Sequence, residues 1–332
     1  MHDALRPWQP GKGAWNYDAA AHLWRRAGFG ATPAALDRWA DGTPAAAVAV
    51  AVSGPADDKA TRELEKIYRS VMGTSSVDSA RAWLLTRMAR GGHPLREKLA
   101  LFWHGHFATS VLKVTHVDWM LRQYRLFLDL GLGKFAALLD AVTRDPAMIR
   151  WLDNETNTKG KPNENYAREL FELFTLGDGN YTENDIQEAA RAFTGWRILK
   201  HRYHFSASQH DEGQKTVLGK TGNFNGEDIC RIALDREACG RFLARKLLRF
   251  FVTPEPAADI VASFGAELKK REYDMASALT LLFSSRYFFA EKNRIGGDKA
   301  LQLAAAPGGR LKFIQDCIEP RGTNNFMNQS EN

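Results

Sequence analysis

Apolar residues recur at helical spacing along most of this chain. Thr32-Pro33 opens one such run, a hydroxyl cap with proline at the first helical position, and Leu36, Trp39 and Ala40 give it an apolar face. Leu95, Leu99, Phe102 and His106 share one side of a run over Pro94–Ser110. The same periodicity predicts helices over Ala19–Arg26, Ala45–Val52, Asp57–Arg69, Val77–Ala89, Val117–Leu130, Phe135–Val142 and Pro146–Leu152. A polar loop covers Asp153–Asn163. Helices return over Glu164–Leu176 and Glu183–Phe193, the second opened by a capping-box pattern of Thr182 and Asp185. Gly226–Ala233, Arg236–Phe251, Ala257–Glu267 and Met275–Phe283 follow.

The pattern changes only between Ile198 and Phe224, where Gly, Ser, His and Lys dominate and apolar residues alternate briefly. The fold class is therefore mainly all-α: a multi-helix array with one irregular insertion near 198–224, long enough for a small hairpin. No internal repeat is visible. Residues 1–293 read as one mostly helical domain. Residues 294–332 lose the periodicity and read as a weakly structured tail.

Composition narrows the picture. No run approaches the roughly 18 apolar residues of a membrane-spanning helix. The net charge of +6 permits anionic partners. Arg241, Arg245, Lys246 and Arg249 read as a solvated helix face, with no nucleic-acid motif beside them. The N-terminus carries no apolar signal core, and Cys230, Cys239 and Cys317 lack ligand spacing. Reduced thiols and a cytoplasmic location are the expectation.

Candidate chemistry centres on one helix. Asn163 suits an N-cap, with Glu164 in the first turn where the helix dipole favours negative charge. Asn165, Arg168, Glu169 and Glu172 then fall at i, i+3, i+4 and i+7, forming one narrow polar stripe. Such a stripe most often faces water, and Arg168 has Glu164 and Glu172 at ion-pair spacing. Two carboxylates one turn apart also suit metal ligation or paired acid–base work. The preceding loop sets Asp153, Glu155, Asn157 and Glu164 at positions one, three, five and twelve of an EF-hand pattern. Thr158 breaks the match where glycine is required, and Lys159 and Lys161 add positive charge.

His104 and His106 flank Gly105. On a regular helix, residues two apart point about 200° apart. Both face one metal only if Gly105 breaks the helix. The plainer expectation is one histidine hydrogen-bonded in the core and the other at a helix end. His201, His204 and His210-Asp211 lie in the insertion, and binding residues often sit on such loops. His104 or His106, His210 or Asp211, and a stripe carboxylate form a reasonable ligand set for zinc, manganese or iron. Lys215–Gly219 lacks phosphate-loop spacing, and no nucleophile-elbow motif is present.

Four strings together resemble one bacterial family. They are Ala21–Gly30; Leu95–Lys98 with Phe102–Ser110; Pro162–Gly177 with Tyr181-Thr182 and Ala189–Trp196; and His210-Asp211 with Lys215–Gly219. The chain resembles the family catalogued as domain of unknown function 1800 from about His22 to Phe289. The resemblance implies a largely helical fold and assigns no catalytic residue. It implies a sulfatase-like protein encoded nearby as a candidate partner, and export signals in some members. Members usually continue further, so a truncated C-terminus is expected here.

Two readings stand at this point. In the first, the chain is a metal-dependent hydrolase or oxidase using a divalent metal. His104, His106, His210 and Asp211 are then the metal ligands, Glu169 and Glu172 ligand or general base, and Arg168 the holder of an anionic group. In the second, it is a non-catalytic interaction or assembly module, and the stripe is an ion-pair network that locks helices together.

Overall fold

The computed structural model describes residues 1–54 and 59–296. Helices dominate it, beside two small antiparallel hairpins. The N-terminal part holds α1 (Tyr17–Ala27), α2 (Pro33–Ala40), α3 (Pro44–Ser53), α4 (Lys59–Val71) and α5 (Val77–Arg90). The middle holds α6 (Pro94–Phe107), α7 (Val111–Val114), α8 (Val117–Leu130), α9 (Phe135–Thr143), α10 (Pro146–Trp151), α11 (Asn165–Glu169) and α12 (Glu183–Ala192). The insertion pairs β1 (Trp196–Leu199) with β2 (Arg202–Phe205), and β3 (Lys215–Val217) with β4 (Lys220–Gly222). The last part holds α13 (Gly226–Leu234), α14 (Glu237–Phe251), α15 (Ala258–Lys270), α16 (Met275–Phe283), α17 (Arg286–Phe289) and α18 (Glu291–Gly296).

The caps follow from the sequence. Thr32 accepts from the Ala35 amide ahead of Pro33, and Thr182 and Asp185 form a reciprocal capping box. One core runs from Leu5 through α1, α6, α8, α9 and α14 to Phe289. Trp8 stacks on Phe289 at 4.3 Å, and His22 lies 3.1 Å from the Phe288 carbonyl, so the N-terminal segment closes on α17. Helices α14 and α15 cross at Gly240 and Gly265. A Cβ on Gly240 would lie 2.6 Å from the Gly265 carbonyl oxygen, so only glycine permits this approach.

Three expectations need correction. The run over Pro94–Ser110 ends at Phe107, where Ala108 turns left-handed at φ 45°. The helix from Glu164 to Leu176 is two segments: α11, then a π-helical turn over Leu170–Thr175. Lys246 does not lie on a solvated face with Arg241, Arg245 and Arg249; its ammonium turns inward to His106. The tail beyond residue 296, including Cys317, lies outside the described residues, as does the start of the Asp57–Arg69 expectation. No helix among the described residues is long and apolar enough to cross a membrane.

Candidate functional site

The stripe is split by the π-helical turn. A π turn shifts the hydrogen bonds to i→i+5 and leaves carbonyls free of their usual partners. Two of these point at side chains from other helices. The Leu173 carbonyl accepts from Lys246 Nζ at 2.9 Å, and the Phe174 carbonyl lies 3.1 Å from His106 Nε2. His106 Nδ1 is 3.2 Å from Lys246 Nζ. Nε2 therefore carries the proton and Nδ1 accepts, which fixes a neutral imidazole. Burial holds His106 well below its ordinary range, with the Lys246 charge adding to the effect. Burial also lowers Lys246 to about 8.

Gly105 does not break α6, so His104 and His106 diverge. His104 sits against Tyr124 and Phe127, with ring centroids 6.1 and 6.4 Å away. Desolvation lowers it to about 4. His106 is ringed by Phe102, Trp103, Phe107, Phe135, Phe174 and Phe242.

Arg168 donates to both oxygens of Glu183 on α12, at 2.8 and 2.7 Å, and to Glu164 at 3.2 Å. These carboxylates raise its pKa, the Glu183 hydrogen bonds most. Glu172 accepts from the Tyr181 hydroxyl at 3.2 Å. Glu169 is half-buried; burial and then the Glu172 charge raise its carboxyl. In the preceding loop, Asp153 accepts from Lys113 at 2.8 Å and Glu155 pairs with Arg150. Asn157 is buried; its Oδ1 accepts from the Asn163 amide at 3.0 Å and its Nδ2 donates to the Ala190 carbonyl at 2.9 Å. The oxygens of the EF-hand pattern thus meet protein cations and backbone.

The insertion is tied to the other end of α12. Asp211 accepts from Arg191 Nε and Nη2 at 2.8 and 3.2 Å. This pair holds its carboxyl down at about 2. His210 Nδ1 lies 2.9 Å from the Thr194 carbonyl, under the ring of Phe205. Lys215 is buried and donates to the carbonyls of Asp211 and Gly213 at 2.6 and 2.9 Å.

The structure therefore brings His106 to the π turn and Arg168 to α12. It brings His210 and Asp211 to the opposite end of α12, and leaves His104 among aromatics. Among the described residues, no group of three or more His, Cys, Asp or Glu side chains is placed to hold a metal ion.

Sequence reading missed Lys246 as the partner of His106. It also missed Asp145, a buried carboxyl on the wall of a cleft between α8 and the β1–β2 hairpin. Asp145-Pro146 carries a local signal, but that signal is for a helix start.

No curated protein and no solved structure matches the chain. The model of the family described as "Protein of unknown function (DUF1800)" matches residues 22–300, and the chain belongs to that family.

Proposed function

We propose that this chain is a non-catalytic interaction module whose polar motif residues are internal ties. One observation carries the reading: each motif string is bound to another through polar side chains. Lys98 of the second string donates to the carbonyls of Arg25 and Gly28 in the first, both at 2.7 Å. His106 of the second bonds Phe174 of the third, and Asp211 of the fourth bonds Arg191 of the third. The ties fix the insertion, whose β1–β2 hairpin exposes Leu199 and Phe205. The register places these two on opposite faces, so Leu199, beside the turn, is the apolar contact this end of the hairpin offers to another protein. The sulfatase-like protein implied by the family resemblance is the first partner to test. The buried free thiols of Cys230 and Cys239 support a reducing compartment, and so a cytoplasmic place of action.

A double-mutant cycle on Arg191→Met and Asp211→Asn tests the ties. A coupling of at least about 1 kcal/mol in urea unfolding supports the reading. Additivity within about 0.3 kcal/mol contradicts it.

One observation favours the metal-dependent reading. Glu169 has no hydrogen bond or ion pair among the described residues and lies one turn from Glu172. Elemental analysis of the purified chain and of Glu169→Ala decides it. Stoichiometric metal in the first and none in the second would establish a ligand role.

A further inference from the structure

A cleft of about 420 Å³ opens between α8, the start of α10 and the β1–β2 hairpin. Its size suits a small organic ligand. Asp145 forms part of its wall and is only 6% exposed. One oxygen, Oδ1, takes every hydrogen bond the carboxyl makes: from Gln123 Nε2 at 2.7 Å, the Ala147 amide at 3.1 Å and the Met148 amide at 3.3 Å. Gln123 is itself oriented by the Thr109 hydroxyl on its Oε1. Oδ2 has no partner among the described residues. Asp145 lines the cleft, and the oxygen that the helix cap leaves free is an acceptor open to a ligand.

The rim has the opposite character. Arg122 and Arg202 line the cleft, are exposed, and make no hydrogen bond or ion pair among the described residues. Arg125, Arg144 and Arg150 nearby all pair with carboxylates. His201 completes the rim, with its ring 5.6 Å from Trp119. It is held there by a two-residue turn in which Lys200 and His201 both have positive φ, 48° and 61°. Glycine and asparagine are the residues that suit this turn, so the backbone is strained where His201 meets the cleft. Trp119 offers no free face: His116 stacks on it at 4.2 Å and Arg150 lies 5.4 Å from its ring centroid. The cleft is therefore built for charge and hydrogen bonds rather than for stacking.

The geometry points to a binding site for a small hydroxylated oxyanion. Its phosphate or carboxylate head lies between Arg122, Arg202 and His201, and a hydroxyl reaches Asp145 Oδ2. Guanidinium groups match both head groups, since each presents paired oxygens to the planar fork. Two arginines outweigh one carboxyl, so the cleft attracts anions even when Asp145 is ionised. The inference goes beyond the scaffold reading and does not depend on it.

Isothermal titration of the whole chain with three probes tests it: glycerol 3-phosphate, gluconate and methyl phosphate. The two hydroxylated probes distinguish a phosphate head from a carboxylate head. Methyl phosphate supplies the anion without a neighbouring hydroxyl. Glycerol 3-phosphate or gluconate should bind at least about fivefold more tightly than methyl phosphate. Arg122→Ala and Arg202→Ala, both at exposed positions, should each weaken that binding about tenfold or more. Asp145→Ser keeps a cap acceptor for the α10 amides, places no polar group where Oδ2 stood and should erase the preference for the hydroxylated probe. If that variant does not fold, the Gln123 side-chain amide resonances of the unaltered chain read the same contact. They should shift with the hydroxylated probe and stay with methyl phosphate. No binding of any probe, equal binding of all three, unchanged binding in both arginine variants, or an unmoved Gln123 amide overturns the inference.

Discussion

His106 and Lys246 meet across two helices, Nδ1 to Nζ at 3.2 Å, and together cap adjacent carbonyls of the π-helical turn. The imidazole is neutral because its Nε2 proton goes to Phe174 and its Nδ1 lone pair to the ammonium. A protonated His106 would have no acceptor for its second proton and would face Lys246 as a like charge. This relationship makes the π turn a joint between α6 and α14 and gives the fold a pH dependence.

Stability should rise as pH climbs from about 4 to 6.5. His104 is lowered to about 4 and His106 further, so in that window the unfolded chain holds more protons than the folded one. Each histidine contributes a slope of up to about 1.4 kcal/mol per pH unit, level above its unfolded pKa. Asp145 opposes them. Burial raises it to about 7, so the folded chain holds its proton and stability falls as pH rises towards 7. Urea unfolding at several pH values should show the net rise, steeper in Asp145→Asn and shallower in His104→Phe. A flat profile between pH 4 and 6.5 counts against neutral, buried histidines.

Two ion pairs should differ sharply in worth. Arg87 and Glu97 are each 1% exposed and bonded through two contacts at 3.0 and 2.5 Å. Glu97→Ala leaves the buried guanidinium with Glu65 alone, 3.6 Å away and making no hydrogen bond to it, and should cost about 3 kcal/mol. Arg168 and Glu183 are 37% and 68% exposed, so Arg168→Ala should cost under about 1 kcal/mol despite its two-pronged geometry. Thermal or urea unfolding of the two variants checks the order. A costlier Arg168→Ala would mean that the stripe carries more of the fold than its exposure implies.

Replacing Lys200-His201 by Asn-Gly should stabilise the chain by about 1–2 kcal/mol, because both positions hold left-handed backbone. The same change removes His201 from the cleft. A gain in melting temperature is the expected reading. A loss would show that side-chain contacts of His201 with Trp119 outweigh the strain.

Glu169→Gln should leave stability unchanged or raise it by up to about 1 kcal/mol. The substitution removes a half-buried charge one turn from Glu172 and breaks no hydrogen bond seen among the described residues. A marked loss that disappears when both chains are compared in a strong chelator, because the unaltered chain falls to the variant's stability, would instead identify a ligand.

The helices were legible because amphipathic periodicity and caps are local. Val117–Leu130 and Met275–Phe283 begin and end where the pattern says, and Thr182 caps α12 as its spacing predicts. The π turn was not legible, since LFELFT reads as ordinary helix and its extra residue is held by Lys246 and His106 from other helices. Arg168 showed the same limit. Helical spacing offered Glu164 and Glu172, but tertiary packing supplied Glu164 and Glu183. Asp145 caps α10 with one oxygen, and it lines a cleft that only the folded hairpin creates. The histidine candidates came from residue chemistry, which cannot show that His106 bonds the Phe174 carbonyl while His210 bonds the Thr194 carbonyl.

The most direct measurement is urea unfolding of the unaltered chain and of His106→Ala, each with and without a strong chelator. If His106 is a tie, the variant loses about 2–4 kcal/mol in both conditions, from the cavity and the stranded Phe174 carbonyl, and the chelator leaves the unaltered chain unchanged. If chelation instead lowers the unaltered chain to the stability of the variant, His106 is a metal ligand and the account of the motifs as internal ties is wrong.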